Sequence, residues 1–427
     1  MKLRRNIKPL VLLHECGTTM LELVEGAIAK QELQVLRSYF RGLNSILKED
    51  IDAINNGAPI IGTHFAFPAE LFYCFDAVPI CFETLSYLSS AVLTNGSEDF
   101  YDAASNFGIP YHACTSQKGV VGMTLKPDYF DVDAIAIPTA PCDNTIGMYQ
   151  FFSEARNIPV IAADMPYRHN ERGYKYYAQE LRKMVDDLAK ILHQEPDYDK
   201  LRKAVSYSSN SIKYQEEINN LRAATPCPLE SMINPMGACV QNFFAGRPQK
   251  ETFYKEVAEL ARDRVKKGVK APGMEEEIRS YWPYMSIFFS IEFCEWMDRE
   301  LNMSLVCDMF NHFFFEPIKE NATVDEMFEG LAKQSMEYPM VRQSESFADV
   351  FLDDTLFLAK KFNVDCAVFT AHIGCKQSVS VIQILKEVLK DELGIPLLTI
   401  ELDIGDKRLT SIETIKKRVR EFKKTLL

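Results

Sequence analysis

A chain of 427 residues that is 47% hydrophobic and 25% charged can bury a large core. Single cores stop growing at about 250–300 residues, so two or three domains are expected. The formal net charge of −12 excludes a nucleic-acid footprint, because an acidic surface is repelled by a phosphate backbone.

The apolar run after "MKLRRNIK" is only "PLVLL" before His14, Glu15 and Cys16 interrupt it, too short for an export signal. Even "YWPYMSIFFSIEFCEW" is cut by a glutamate, so no membrane span is expected. The chain reads as cytoplasmic. Its eleven cysteines are then expected as thiols, because the cytosol keeps them reduced. No CxxC cluster occurs, and any metal site must be assembled from distant segments.

In chain order, residues 1–56 read as a helical segment, since "MLELVEGAIAKQELQVLRSYFRGLNSILKEDIDAI" repeats apolar residues at three and four. Residues 57–166 carry "APIIGTHFAFP", "DAVPICFE", "VDAIAIPT" and "IPVIAADMP". Such short apolar runs between helical stretches predict a parallel α/β domain. Residues 167–275 read as a helical bridge, on patterns such as "YYAQELRKMVDDLAKILHQ". Past "KAPGMEEE", residues 276–427 form a second α/β domain with strands "MSLVCDMF", "VDCAVFTAHIGC" and "IPLLTIELD" and a basic C-terminal helix, "IKKRVREFKK". The fold class is therefore α/β, with two Rossmann-like parallel-sheet domains.

A weak internal repeat relates the two. "VDAIAIPTAPC", a helix and "IPVIAADMP" match "VDCAVFTAHIGC", a helix and "IPLLTIELD". The repeat puts Cys142 and Cys375 at equivalent places, just past a strand and before a helix. Ligands of open α/β sheets bind at the carboxyl ends of the strands, so two facing domains bring both thiols to one cleft. Cys114, in "YHACTSQKGVVG", is the third candidate. Helix starts suit thiolates, because free N–H groups favour negative sulfur. Three cysteines without a fourth suit a 4Fe-4S cluster with one open iron better than a closed structural zinc site. Cys81 and Cys307 also end strands at matching positions and are further candidate ligands, extra thiols that suit a larger iron-sulfur assembly.

Other polar residues are candidates as well. Glu70, in "FPAELF", suits a proton shuttle or a carboxylate at a helix N-terminus. His64 and His372 border strand ends, as substrate contacts or acids or as hydrogen-bonded structural residues. Asp143 suits a helix cap. Cys227, in "ATPCPLE", lies outside both repeats and is expected to be idle. The stretches "NHFFFEP" and "QNFFAG" suit either core or an acyl pocket.

The ordered set "THFAFPAELFYCFDAVPI", "ACTSQKG", "PTAPCDNTIGMYQ", "IPVIAADMPY" and "HIGCKQ…LGIPLLTIELD" resembles the 2-hydroxyacyl-CoA dehydratase and benzoyl-CoA reductase family. The likeness is to D-component subunits of 2-hydroxyglutaryl-CoA dehydratase and spans roughly Gly57 to Asp406. It implies a cluster held by Cys114, Cys142 and Cys375. It also implies one-electron ketyl-radical chemistry on an acyl-CoA thioester under anaerobic conditions. A homologous second subunit or a homodimer is implied, as is an ATP-dependent iron-sulfur activator. The alternative that the resemblance implies is a double-cubane 8Fe cluster on six cysteines, as in the family members that reduce small molecules instead, or a benzoyl-CoA reductase subunit.

Overall fold

The structure is a computed structural model that describes residues 5–26, 33–92, 97–126, 130–344 and 348–427. Two N-terminal helices, Lys8–Gly26 and Gln34–Asn55, pack against each other and lead into the first sheet. Part of the continuous helical pattern expected there, residues 27–32, lies outside the described residues.

The first sheet holds β1 (Ile60–Thr63), β2 (Val78–Cys81), β3 (Ala134–Pro138) and β4 (Val160–Ala163), all parallel, in the order β2-β1-β3-β4. Every residue of β1 and β3 is buried, as expected when helices cover both faces of a parallel sheet. Gly62 in β1 is required by space, since a Cβ there would lie 2.4 Å from the Phe82 ring.

The second sheet holds β5 (Ile278–Trp282), β6 (Met303–Asp308), β7 (Cys366–His372) and β8 (Leu397–Leu402), again parallel, in the order β6-β5-β7-β8. The identical strand orders make the repeat visible in three dimensions, and β3 and β7 occupy the same place. The chain is α/β with two four-stranded parallel sheets, in agreement with the Rossmann-like reading.

Strand β5, "IRSYW", is absent from the sequence reading. Arg279 breaks its apolar run, yet the residue is buried. Its guanidinium donates to Glu276 Oε1 at 2.6 Å and to the carbonyls of Phe362, Ala224 and Arg222 at 3.0–3.1 Å. A buried charge is tolerated when it is paired and hydrogen-bonded, as this one is four times over, and periodicity cannot register that.

Between the sheets run the helices Glu171–Leu192, Tyr198–Arg222, Ile233–Phe243 and Pro248–Lys267. They fill the expected bridge but do not stand apart: Phe253, Val257 and Ala261 share one core with the N-terminal helices and the first sheet. Helix Val324–Met336, from the second half of the sequence, likewise packs into the core beneath the first sheet through Met327, Phe328 and Leu331.

At the end of that helix Glu337 accepts a hydrogen bond from the Tyr174 hydroxyl at 2.6 Å and lies 3.2 Å from His169 Nδ1, with Arg342 on its other oxygen. Burial alone raises this carboxyl, but the His169, Tyr174 and Arg342 contacts outweigh it and hold it at about 2. An unfolded glutamate titrates at about 4.3. Its contribution is therefore complete above that value and is lost as pH falls towards 2. Glu337→Gln is expected to lower stability at neutral pH and to flatten the loss between about pH 5 and pH 2, measured by urea unfolding across that range.

Candidate cluster cavity between the two lobes

Each of the three candidate cysteines begins a helix. Cys114 is the N-cap of Thr115–Thr124, Cys142 of Asp143–Arg156 and Cys375 of Lys376–Ser380. None closes its helix with a side-chain hydrogen bond, whereas Asn170 caps its helix by accepting from Gly173 N at 2.9 Å. Three helices thus forgo a normal cap, worth about 1 kcal/mol each, and leave a sulfur free. Asp143, expected as the cap, is instead the first residue of its helix, with the cap one position earlier.

The three cysteines line one cavity of about 780 Å³, and a fourth that the sequence reading passed over, Cys239 of helix Ile233–Phe243, lines it with them. Cys114 and Cys142 come from the first lobe and Cys375 from the second. The other walls are mainly apolar and aromatic, including Phe65, Tyr284, Phe288 and Phe310. All three cysteines are half-buried free thiols. Burial, then the negative forms of Cys375 and Cys142, push the Cys114 thiol up to about 12. Burial also raises Cys142, with the Thr145 hydroxyl pulling the other way. Tyr284, beside Cys375, is raised by burial and by that thiolate.

Among the described residues no group of three His, Cys, Asp or Glu side chains is arranged to hold a single metal ion. The thiols surround a space instead. As thiolates these soft donors would repel one another, and a cationic group bound among them would offset that charge while displacing the thiol protons.

The lobes meet at this site. Asp403, just past β8, accepts from the Thr115 hydroxyl at 2.7 Å and from Gly405 N at 2.9 Å. His372, at the end of β7, is buried with Nε2 3.4 Å from Cys114 Sγ and Nδ1 3.9 Å from Asp403. Burial lowers the His372 pKa, opposed by the Asp403 charge. It stands behind a cysteine of the opposite lobe and does not line the cavity.

A second cavity of about 590 Å³ adjoins the first, the two sharing Phe65 and Asn242. His64, Glu70 and Cys81 line it together with Lys250, Phe313 and Phe315. Glu70 is buried and accepts from the Ser208 hydroxyl. The "NHFFFEP" and "QNFFAG" stretches therefore contribute to a cavity wall as well as to core. Of the two further candidate cysteines, Cys81 faces this second chamber. Cys307 faces neither and donates its S–H to the Asp308 carbonyl at 3.1 Å from within the second core. Cys307 does end a strand, but its side chain is packed into the second core and lines neither cavity. Cys227 is buried outside both cavities, its S–H towards the Leu229 carbonyl.

The sequence reading passed over Glu83, Gln117 and Thr145, which line the cysteine cavity. Burial raises Glu83 to about 7, against hydrogen bonds that include one from the Tyr149 hydroxyl at 3.0 Å. A carboxylate inside the apolar run "VPICFE" is the signal that points to it.

Two lobes, each built on a four-stranded parallel sheet, thus enclose a cysteine-lined cavity at the carboxyl ends of their strands. Comparison with known proteins gives the family. The sequence model of 2-hydroxyglutaryl-CoA dehydratase, D-component, matches residues 64–426, and the chain belongs to that family. It is also similar to the lactoyl-CoA dehydratase subunit alpha of Anaerotignum propionicum, at 21% identity over 328 residues, covering 73% of this chain and 74% of that protein. No helix among the described residues is long and apolar enough to cross a membrane.

The seam leaves no room beside Cys114. A Cβ on Gly374 would lie 2.4 Å from the Cys114 Cα and 2.6 Å from its backbone N. Gly374→Ala is expected to separate the lobes locally and to cost about 1–3 kcal/mol, read as a lower denaturant midpoint.

Proposed function

We propose that the chain is the iron-sulfur subunit of a 2-hydroxyacyl-CoA dehydratase-type lyase, with a 4Fe-4S cluster held by Cys114, Cys142 and Cys375. The observation that carries this reading is that three cysteines from two lobes surround one apolar cavity in a chain of this family. When bound, the cluster supplies an open iron that polarises a thioester oxygen, and a one-electron route to a ketyl radical.

The protein's own part is positioning and exclusion. Phe65, Phe288 and Phe310 keep water from the thiols, which strengthens every electrostatic contact inside. The second chamber receives the acyl portion of the thioester, with Phe313 and Phe315 as its apolar wall and Glu70 and Lys250 as its polar groups. Glu70 is the proton shuttle, its carboxylate held by Ser208. His64, buried and lowered to about 3 by desolvation, stays neutral and does not supply a proton at neutral pH.

The partner is a second, homologous subunit, which covers the open site; a subunit alpha is the relative that supports this. An ATP-dependent iron-sulfur activator delivers the electron. Cytoplasmic, oxygen-free conditions suit this chemistry. A double-cubane reductase needs six cysteine ligands, whereas four cysteines line the cavity, with Cys81 in the adjoining chamber and Cys307 in the second core.

Anaerobic isolation followed by iron and sulfide analysis is expected to give about four irons per chain. About eight would replace the lyase reading by the double-cubane one, and a colourless, iron-free chain would overturn both. Cys142→Ser and Cys375→Ser are each expected to lose most of the iron, while Cys227→Ser keeps it; equal loss in all three defeats the site assignment. Dehydration of a 2-hydroxyacyl-CoA is expected only with the second subunit, the activator and ATP present, and turnover by the chain alone would refute the assembly.

A further inference from the structure

Behind Cys142 runs a chain of hydrogen bonds whose direction is set by the backbone. The Ala66 N–H donates to His64 Nδ1 at 3.1 Å. A ring nitrogen that accepts carries no proton, so in neutral His64 the proton is on Nε2. Nε2 lies 3.2 Å from Thr145 Oγ1, which therefore accepts from it. Gln117 Nε2 donates to the same oxygen at 3.4 Å. With both lone pairs engaged, the hydroxyl has one proton left and one further neighbour, Cys142 Sγ at 3.6 Å. Thr145 is fully buried, so water does not compete for that proton.

Glu83 Oε1 is the other acceptor near His64 Nε2 and stands farther away, at 3.6 Å against 3.2 Å for Thr145 Oγ1. The His64 proton thus goes to Thr145.

We infer that Ala66, His64 and Thr145 form a one-way donor relay that holds the Cys142 sulfur as an acceptor and tunes the potential of the cluster bound there. His64 is then a positioning residue acting through Thr145. The inference rests on the cluster reading above. A hydrogen bond to a ligand sulfur stabilises the more negative, reduced state, which is one of the means by which a protein sets cluster potential. The other two sulfurs face different groups, His372 Nε2 at 3.4 Å from Cys114 and the Tyr284 hydroxyl beside Cys375, so the three ligands differ in the kind of donor that reaches them.

The test is a redox titration of the anaerobically purified chain, followed by electron paramagnetic resonance, with Thr145→Val and Thr145→Ser beside the wild type. Valine keeps the shape and removes the donor; serine keeps the donor. For Thr145→Val the expected result is full iron content and a tenfold lower ratio of reduced to oxidised cluster at fixed potential, about 59 mV for a one-electron couple. Thr145→Ser should match the wild type, and His64→Leu should shift in the same direction as valine. An iron-free valine variant beside a fully loaded serine variant also supports the relay, since only the hydroxyl separates them. Valine with unchanged potential, or valine and serine impaired alike, overturns it. An iron-free wild type instead overturns the cluster reading itself.

Discussion

The close approach of Gly374 to the backbone of Cys114 is the constraint on which the site depends. No side chain fits between them, and the Thr115 hydroxyl to Asp403 bond fastens the same seam a residue away. Residues 258 or more positions apart in sequence are thereby held within contact of one another. Because both lobes end their strands there, the seam also brings Cys375 into the cavity that Cys114 and Cys142 line. A shift of one lobe would separate Cys375 from the pair supplied by the other.

Rigidity of this kind follows from how the lobes are built. The identical strand orders place β3 and β7 at equivalent points, and each is followed by a cysteine at a helix start. Burial is shared across the chain as well. The bridge helices complete the first core, and helix Val324–Met336 returns from the second half to seal it. The lobes are not independent beads. The cavities between them consequently have walls drawn from many separate stretches of both halves of the chain, the chamber around Glu70 and Lys250 lying next to the one around the thiols.

Much of this was legible from residues alone. Strands β1 to β4 and β6 to β8 announce themselves as apolar β-branched runs, and the repeat makes Cys142 and Cys375 equivalent before any coordinates are known. Strand β5 was not legible, because Arg279 reads as a surface residue until its four acceptors are seen. Cys307 shows the opposite failure. Its position at a strand end is correct, but strand position leaves the face undecided, and its sulfur is turned into the second core.

The sequence by itself determined the class of the fold, the doubling of its domains and the short set of thiols from which a site can be drawn, because these rest on local periodicity and composition. Tertiary structure alone decided which thiols meet, that His372 backs a cysteine of the other lobe, and that His64 passes a hydrogen bond through Thr145 to Cys142. Those facts depend on distances between residues far apart in the chain and on which lone pair is already engaged. Neither quantity has a period or a composition, so neither can be read along a sequence.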